Sequence, residues 1–178
     1  MNPQHARLRE EHRRLQALAQ GHPNAITIVK VDDDPPVRYL LDLHCTGAAS
    51  LNEVSDEVVL KKTFRVQIDM GSKYPVQRPA VHVGSPFFNP HIFSSGAVCL
   101  GMPWTPTQSL DVFVRRLWGL LVWDPEVLDE MSPADSDAIA WFKRHKDRVP
   151  FDRVDPTLPP KAPPEPPPPP KPRITWRG

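Results

Sequence analysis

Two cysteines, two tyrosines, eight glycines and a net charge of +1 are notably little for a chain of 178 residues, and each scarcity excludes something. Cys45 and Cys99 sit in unlike surroundings, so a disulfide-stapled scaffold is excluded and a reducing, cytoplasmic setting is the expectation. No Cys/His cluster has metal-ligand spacing, so neither a metal nor a cofactor is expected. A nearly neutral chain has no overall field drawing it to nucleic acid or to a membrane surface. No apolar run approaches the ~18 residues of a membrane span, and the charged N-terminal stretch lacks the apolar core of a signal peptide.

Proline is what the chain has in excess, 24 residues, half of them between Pro150 and Gly178. That segment, with its run Pro166–Pro170, forms neither helix nor sheet and favours extended polyproline II. It ends in Ile174-Thr175-Trp176, a strand-like tip with one large aromatic anchor. Such a tip suits docking on a partner as well as it suits a solubilising tail. The expected division is therefore a globular domain over 1–149 and a proline-rich tail over 150–178.

The domain reads as α+β. Leu8, Leu15, Leu18 and Ala19 share one face of a helix over 4–20, with Arg7, Arg9, Arg13 and Arg14 elsewhere, and Gly21 and Pro23 end it. Strand patterns follow at 25–31, 38–45, 58–68 and 80–83, with 47–57 read as a loop, which gives a four-stranded antiparallel meander. Cys45 closes an apolar strand and reads as core. Tyr74-Pro75, with Pro79, is a stiff entry to the last strand. A helix over 110–123, capped by Ser109, carries Val112, Phe113, Leu117, Leu120 and Leu121 on a broad apolar face. A last helix begins at Ser132-Pro133 and runs to about Arg148.

Cys99 lies in Phe88-Asn89-Pro90-His91-Ile92-Phe93-Ser94-Ser95-Gly96-Ala97-Val98-Cys99-Leu100, followed by Trp104-Thr105-Pro106. A thiol on a loop punctuated by Pro and Gly, near a histidine, is a candidate nucleophile. This stretch resembles the active-site segment of ubiquitin-conjugating enzymes, and the Tyr74-Pro75 element and the order of helix, meander, cysteine loop and two helices resemble them as well. Two departures stand out. The family's His-Pro-Asn is inverted here as Asn89-Pro90-His91, and the gap from Cys99 to Trp104 is short. With the minimal second half, these features look more like a bacterial relative from a ubiquitin-like conjugation operon, a setting often tied to antiviral defence.

The resemblance implies the UBC-like fold over 4–148 and a transferase. An activating enzyme would pass the C-terminal glycine of a ubiquitin-like protein to Cys99 as a thioester, and a lysine-bearing acceptor protein would then take it. His91 stands where the family has its Asn; it either donates to the oxyanion or braces the loop, and Asn89 is a third candidate for that role. Asp129, or failing that Ser132, is the candidate for orienting the attacking amine. Arg7, Arg13 and Arg14 on the first helix would meet the activating enzyme; Phe87 and Pro106 would face a RING-type ligase, although the sequence implies no ligase. Trp176 is the tail's docking candidate. Two other readings remain open: a non-catalytic interaction module on the same fold, and a cysteine hydrolase using Cys99 and His91.

Overall fold

The computed structural model describes residues 2–101 and 103–152. Helix α1 spans Pro3–Gly21, with Pro3 in its first turn and the Asn2 side chain accepting from Gln4 N–H at 2.9 Å. Six strands follow: β1 Ile26–Asp32, β2 Arg38–Leu43, β3 Gly47–Asn52, β4 Glu57–Lys61, β5 Phe64–Asp69 and β6 Ala80–Val83. Helix α2 spans Leu110–Val122 and α3 Ser136–Arg144, with a 3₁₀ turn at Lys146–Arg148.

The main sheet is antiparallel in the order β1-β2-β5-β6. Alternation along its strands sends Tyr39, Leu41, Leu43, Phe64, Val66, Ile68, Val81 and Val83 into the core. Arg65 and Gln67 stay exposed on the outer face, where Arg65 grips its cross-strand partner Asp42 through two bonds of 2.9 Å. Helices α1 and α2 pack together, and the buried Leu8, Leu15 and Leu18 of α1 join the sheet's inner face in one core. Each fully buried leucine contributes roughly 1.5–3 kcal/mol.

Two of the expected elements differ from what the structure holds. Residues 47–57, expected as a loop, contain β3 and the turn into β4. The 58–68 stretch, expected as one strand, divides into β4 and β5. Together β2–β3 and β4–β5 form one long hairpin, interrupted where residues 44–46 lie across from 62–63. The Gly-Ala-Ala-Ser composition of β3 has little strand preference of its own, so its state is set by its partner β4. At the tip, Asn52 Oδ1 accepts from Val54 and Ser55 N–H, and Asp56 takes a left-handed conformation.

The second half also differs in its helix starts. Ser109 occupies the cap of α2, but its side chain makes no capping bond. The Glu11 carboxylate of α1 accepts from Leu110 N–H instead. Helix α3 begins after Asp135, not at Ser132-Pro133, because Asp135 accepts from Asp137 and Ala138 N–H at 2.9 Å. The amides of Ala134 and Asp135 are drawn to the Pro90 carbonyl, at 2.7 and 3.3 Å. The packed domain also runs past the expected boundary at 149. Phe151 packs edge-on against Trp123 and tilted beside Trp141, and Asp152 accepts from Thr46 N–H at 3.3 Å.

Candidate active site

The backbone leading into Cys99 is held by several hydrogen bonds. The Cys99 N–H donates to the His91 carbonyl at 2.8 Å, and Val98 N–H donates to Val81 O of β6 at 3.2 Å. Between them the chain folds back in a tight turn, with Phe93 N–H on Ala97 O and Gly96 N–H on Phe93 O. Gly96 has φ of 89° and lies so close to β6 that a Cβ there would stand 2.6 Å from Val83 O and 2.5 Å from the His82 ring. Only glycine fits, and it holds the loop against the sheet edge. Cys99 is half-buried at the end of this anchored loop, with part of its surface open to solvent.

Cys45 contrasts with it. It is 2% exposed, and burial pushes its thiol far above the ordinary range, which removes it as a nucleophile.

Asn89 and His91 are both buried, and both are engaged with neighbouring segments. Asn89 Nδ2 donates to Leu120 O of α2 at 2.7 Å, and its Oδ1 accepts from His91 N–H at 2.9 Å. The His91 ring is 0% exposed, and its Nε2 accepts from Asp129 N–H at 2.9 Å. A nitrogen that accepts carries no proton, so the neutral ring is protonated at Nδ1. Nδ1 has no hydrogen-bond partner among the described residues. Burial lowers the ring's pKa from its usual value; the backbone of Cys99 and the Asp129 carboxylate act the other way but do not overcome it. The ring therefore meets the segment after α2 by accepting from a backbone N–H.

Asp129 is half-exposed in the segment after α2. Its Oδ1 accepts from Met131 N–H at 2.9 Å, and its side chain lies over Gly101. Gly101 has φ of 64°, and a Cβ there would stand 2.9 Å from Asp129 Cβ. Asp129 and His91 therefore both border the turn that follows Cys99. Arg116 of α2 fixes the same turn from below, donating to Leu100 O at 3.1 Å and to Val127 O at 3.2 Å.

The partner-surface residues expected from the sequence separate into two groups. Arg13 and Arg14 are exposed on α1, each paired with Glu10, whose carboxyl they hold down at about 2. Arg7 turns inward: its Nε donates to Glu11 at 2.5 Å and its Nη2 to Gln108 O at 2.8 Å, so its guanidinium is engaged in bonds within the fold. Pro106 is exposed, whereas Phe87 packs partly buried against the core. Trp176 lies outside the described residues.

One surface residue escaped the sequence reading. Trp104 Nε1 donates to Pro75 O at 2.7 Å, which brings Val76, 75% exposed, beside the Trp104-Thr105-Pro106 stretch. The signal available was an apolar residue directly after a turn-forming Tyr-Pro. Tyr74 itself is buried, its hydroxyl on Glu11 at 2.8 Å and its ring 5.9 Å from that of Trp104.

Comparison with known proteins places this loop in context. The family profile described as ubiquitin-conjugating enzyme matches residues 12–154. The chain belongs to the ubiquitin-conjugating enzyme family. It is similar to Ubiquitin-conjugating enzyme E2 2 of Yarrowia lipolytica, 33% identical over 87 residues that cover 47% of this chain and 55% of that protein. The namesake in Debaryomyces hansenii is 31% identical over 87 residues, 47% of this chain and 49% of that protein. The chain thus spans about half the length of the curated relatives it matches. In structure it is similar to a Trypanosoma cruzi protein assigned as a ubiquitin conjugating enzyme, with a TM-score of 0.58 and 15% identity, covering 82% of this chain and 94% of that one. That likeness establishes the UBC fold.

Proposed function

We propose that the chain is a cysteine-dependent transferase for ubiquitin or a ubiquitin-like protein, with Cys99 as the nucleophile. The observation that carries this reading is a half-open thiol at the end of a loop anchored to β6 and to His91 by backbone hydrogen bonds, in a chain whose family profile covers 12–154. In the first step the Cys99 thiolate attacks the thioester carbonyl presented by an activating enzyme. The new C–S bond forms at Sγ and the activating enzyme's thiol leaves. In the second step a lysine amine attacks the same carbonyl, the C–S bond to Cys99 breaks, the thiolate is released and the amine proton passes to a base. Thiolate suits both steps because it is a good nucleophile and a good leaving group.

His91 and Asn89 act here as positioning residues. Asn89 ties the loop to α2, and His91 ties it to the segment carrying Asp129. Asp129 is the group assigned to orient the incoming amine and receive its proton, since it is half-exposed beside the turn after Cys99. The activating enzyme is assigned to the α1 face bearing Arg13 and Arg14. For a ligase, Pro106 with Val76 is the favoured surface in place of Phe87. Docking by the Trp176 tip stays a proposal on the sequence alone. A bacterial defence setting is supported by the inverted motif and short second half only; the relatives named above are eukaryotic.

The interaction-module reading is disfavoured by the presence of Cys99. The hydrolase reading is disfavoured because the His91 ring is engaged by Asp129 N–H, with no hydrogen bond to the thiol among the described residues. Incubation with activating enzyme, ATP and ubiquitin, followed by a non-reducing gel, separates the three. The transferase gives a reductant-sensitive adduct that Cys99→Ala abolishes, Cys99→Lys converts to a reductant-stable one and Cys45→Ala retains. An adduct that persists in Cys99→Ala overturns the assignment.

A further inference from the structure

Strands β3 and β4 form a two-stranded sheet of their own. β3 lies on one side of β4; on the other side β4 makes no backbone hydrogen bond among the described residues. Unpaired N–H and C=O groups along such an edge are a template for one more strand. The side chains of β4 point the same way. Residues 58 and 60 share one face, where Val58 packs against the core while Leu60 is left 47% exposed. Val59, on the opposite face, is 53% exposed. At the tip of the hairpin Glu53 and Glu57 are exposed, and their carboxylates have no hydrogen bond or ion pair among the described residues. Asp56 between them is paired with Arg144. The edge is therefore apolar along its length and carries free negative charge at one end.

We propose that residues 173–177 of this chain's own tail add to the free edge of β4 as a parallel strand that seats Trp176 over Leu60. Ile174 and Trp176 are two apart, so a strand sends both to one face and Thr175 to the other. Pairing 173–177 along Glu57–Lys61 brings Ile174 to Val58, Thr175 to Val59 and Trp176 to Leu60. Cross-strand apolar pairs of this kind hold an added strand, and they cover the face on which Leu60 stands open. Charge selects the direction. Run parallel, Lys171 and Arg173 meet the free carboxylates of Glu53 and Glu57, and only Arg177 falls near Lys61. Run antiparallel, Lys171 and Arg173 fall beside Lys61 and Lys62. Pro172, which has no N–H to pair, stands just before the first paired residue. Reach follows from where the described chain ends. Asp152 is bonded to Thr46 at the base of the hairpin, where Gly47 pairs with Lys61. Residues 153–172, extended as polyproline II, cover about 60 Å, whereas a five-residue strand spans about 17 Å. The tether raises the concentration of the tip at the edge, so a short strand suffices.

The test uses the full chain with nitrogen-15 labelling. The heteronuclear NOE of the Trp176 indole, assigned with Trp176→Phe, should match those of the indoles in the packed domain. Amides on the open side of β4 should exchange about tenfold more slowly than in the double variant Ile174→Ala with Trp176→Ala, the protection given by a tip seated about nine-tenths of the time. Both tail substitutions lie outside the packed domain, so a general loss of stability does not produce this difference. Leu60→Asp should release the indole, lowering its NOE to that of a freely moving chain. Arg173→Glu should reduce the protection of β4 more than Arg177→Glu does; the reverse order overturns the parallel pairing. A freely moving indole in the unaltered chain, β4 exchange that is equal with and without the apolar tip, or an indole still held in Leu60→Asp overturns the proposal. Protection that falls on tenfold dilution gives the edge to the tail of a second copy and overturns the assignment to the same chain.

Discussion

The carboxylate of Glu11 on α1 accepts a hydrogen bond from Leu110 N–H, 2.6 Å away at the start of α2. Glu11 is 1% exposed, yet it also binds the Arg7 guanidinium and the Tyr74 hydroxyl. One buried acid thus caps a helix, neutralises a cation and anchors the Tyr-Pro turn. Its removal leaves three groups without their partner. Glu11→Ala should cost about 3–5 kcal/mol in urea unfolding, the range for breaking a buried ion pair from one side. Glu11→Gln, which keeps acceptor capacity, should cost less. Equal losses would mean that packing and not hydrogen bonding governs the site.

His91 should give the fold a measurable pH dependence. Burial holds its pKa below the ordinary value, so as pH falls the unfolded chain takes up the proton before the folded one does. The stability contribution is complete above about pH 6.5 and declines as pH falls from there toward the lower folded value. His91→Gln, whose Oε1 can accept from Asp129 N–H, should flatten that decline in thermal melts at pH 7 and 5.5. His91→Ala should lose about 1–3 kcal/mol at pH 7 through the unpaired amide. A slope unchanged in His91→Gln would remove His91 as its source.

Gly96 should tolerate no side chain. With φ of 89° and Val83 O only 2.6 Å from the position of a Cβ, Gly96→Ala combines backbone strain of about 1–2 kcal/mol with a backbone clash. The loop should pull away from β6, seen as faster hydrogen exchange at Val83 and Val98, whose amides bond across that contact. Thioester formation on Cys99 should slow in parallel. Unaltered exchange would show that the loop does not depend on this approach.

The arginines of α1 should separate by function. Arg13→Glu with Arg14→Glu should slow loading by the activating enzyme, make it less sensitive to salt, and leave stability nearly unchanged, because both side chains are exposed. Arg7→Ala should do the reverse, lowering stability through the loss of its bonds to Glu11 and Gln108. Kinetics of loading and thermal melts on the same samples decide between the roles. An intact loading rate in the double variant would leave the exposed arginines as a solvated face.

Local sequence determined much of the architecture. Leucine spacing marks α1, alternation marks β2, β5 and β6, and the apolar face of α2 is plain from Val112 to Leu121. The Pro- and Gly-bounded cysteine loop and its Tyr-Pro and Trp-x-Pro companions were legible as motifs, because turn residues act through their own backbones. Other features were decided only by contacts between segments distant in the chain. Strand β3 exists because β4 supplies its hydrogen bonds, not because Gly-Ala-Ala-Ser favours a strand. Helix α3 starts late because the Pro90 carbonyl takes the amides before it. Nothing local in the helix pattern marks Glu11 as buried; Tyr74 and Leu110, which lie 63 and 99 positions further along, draw it into a buried network. His91 and Asn89 likewise acquire their partners, Asp129 N–H and Leu120 O, from segments 38 and 31 residues away. Residue type and periodicity encode what a segment prefers locally. Which buried polar group meets which partner depends on how the elements pack, and that was fixed only by the tertiary structure.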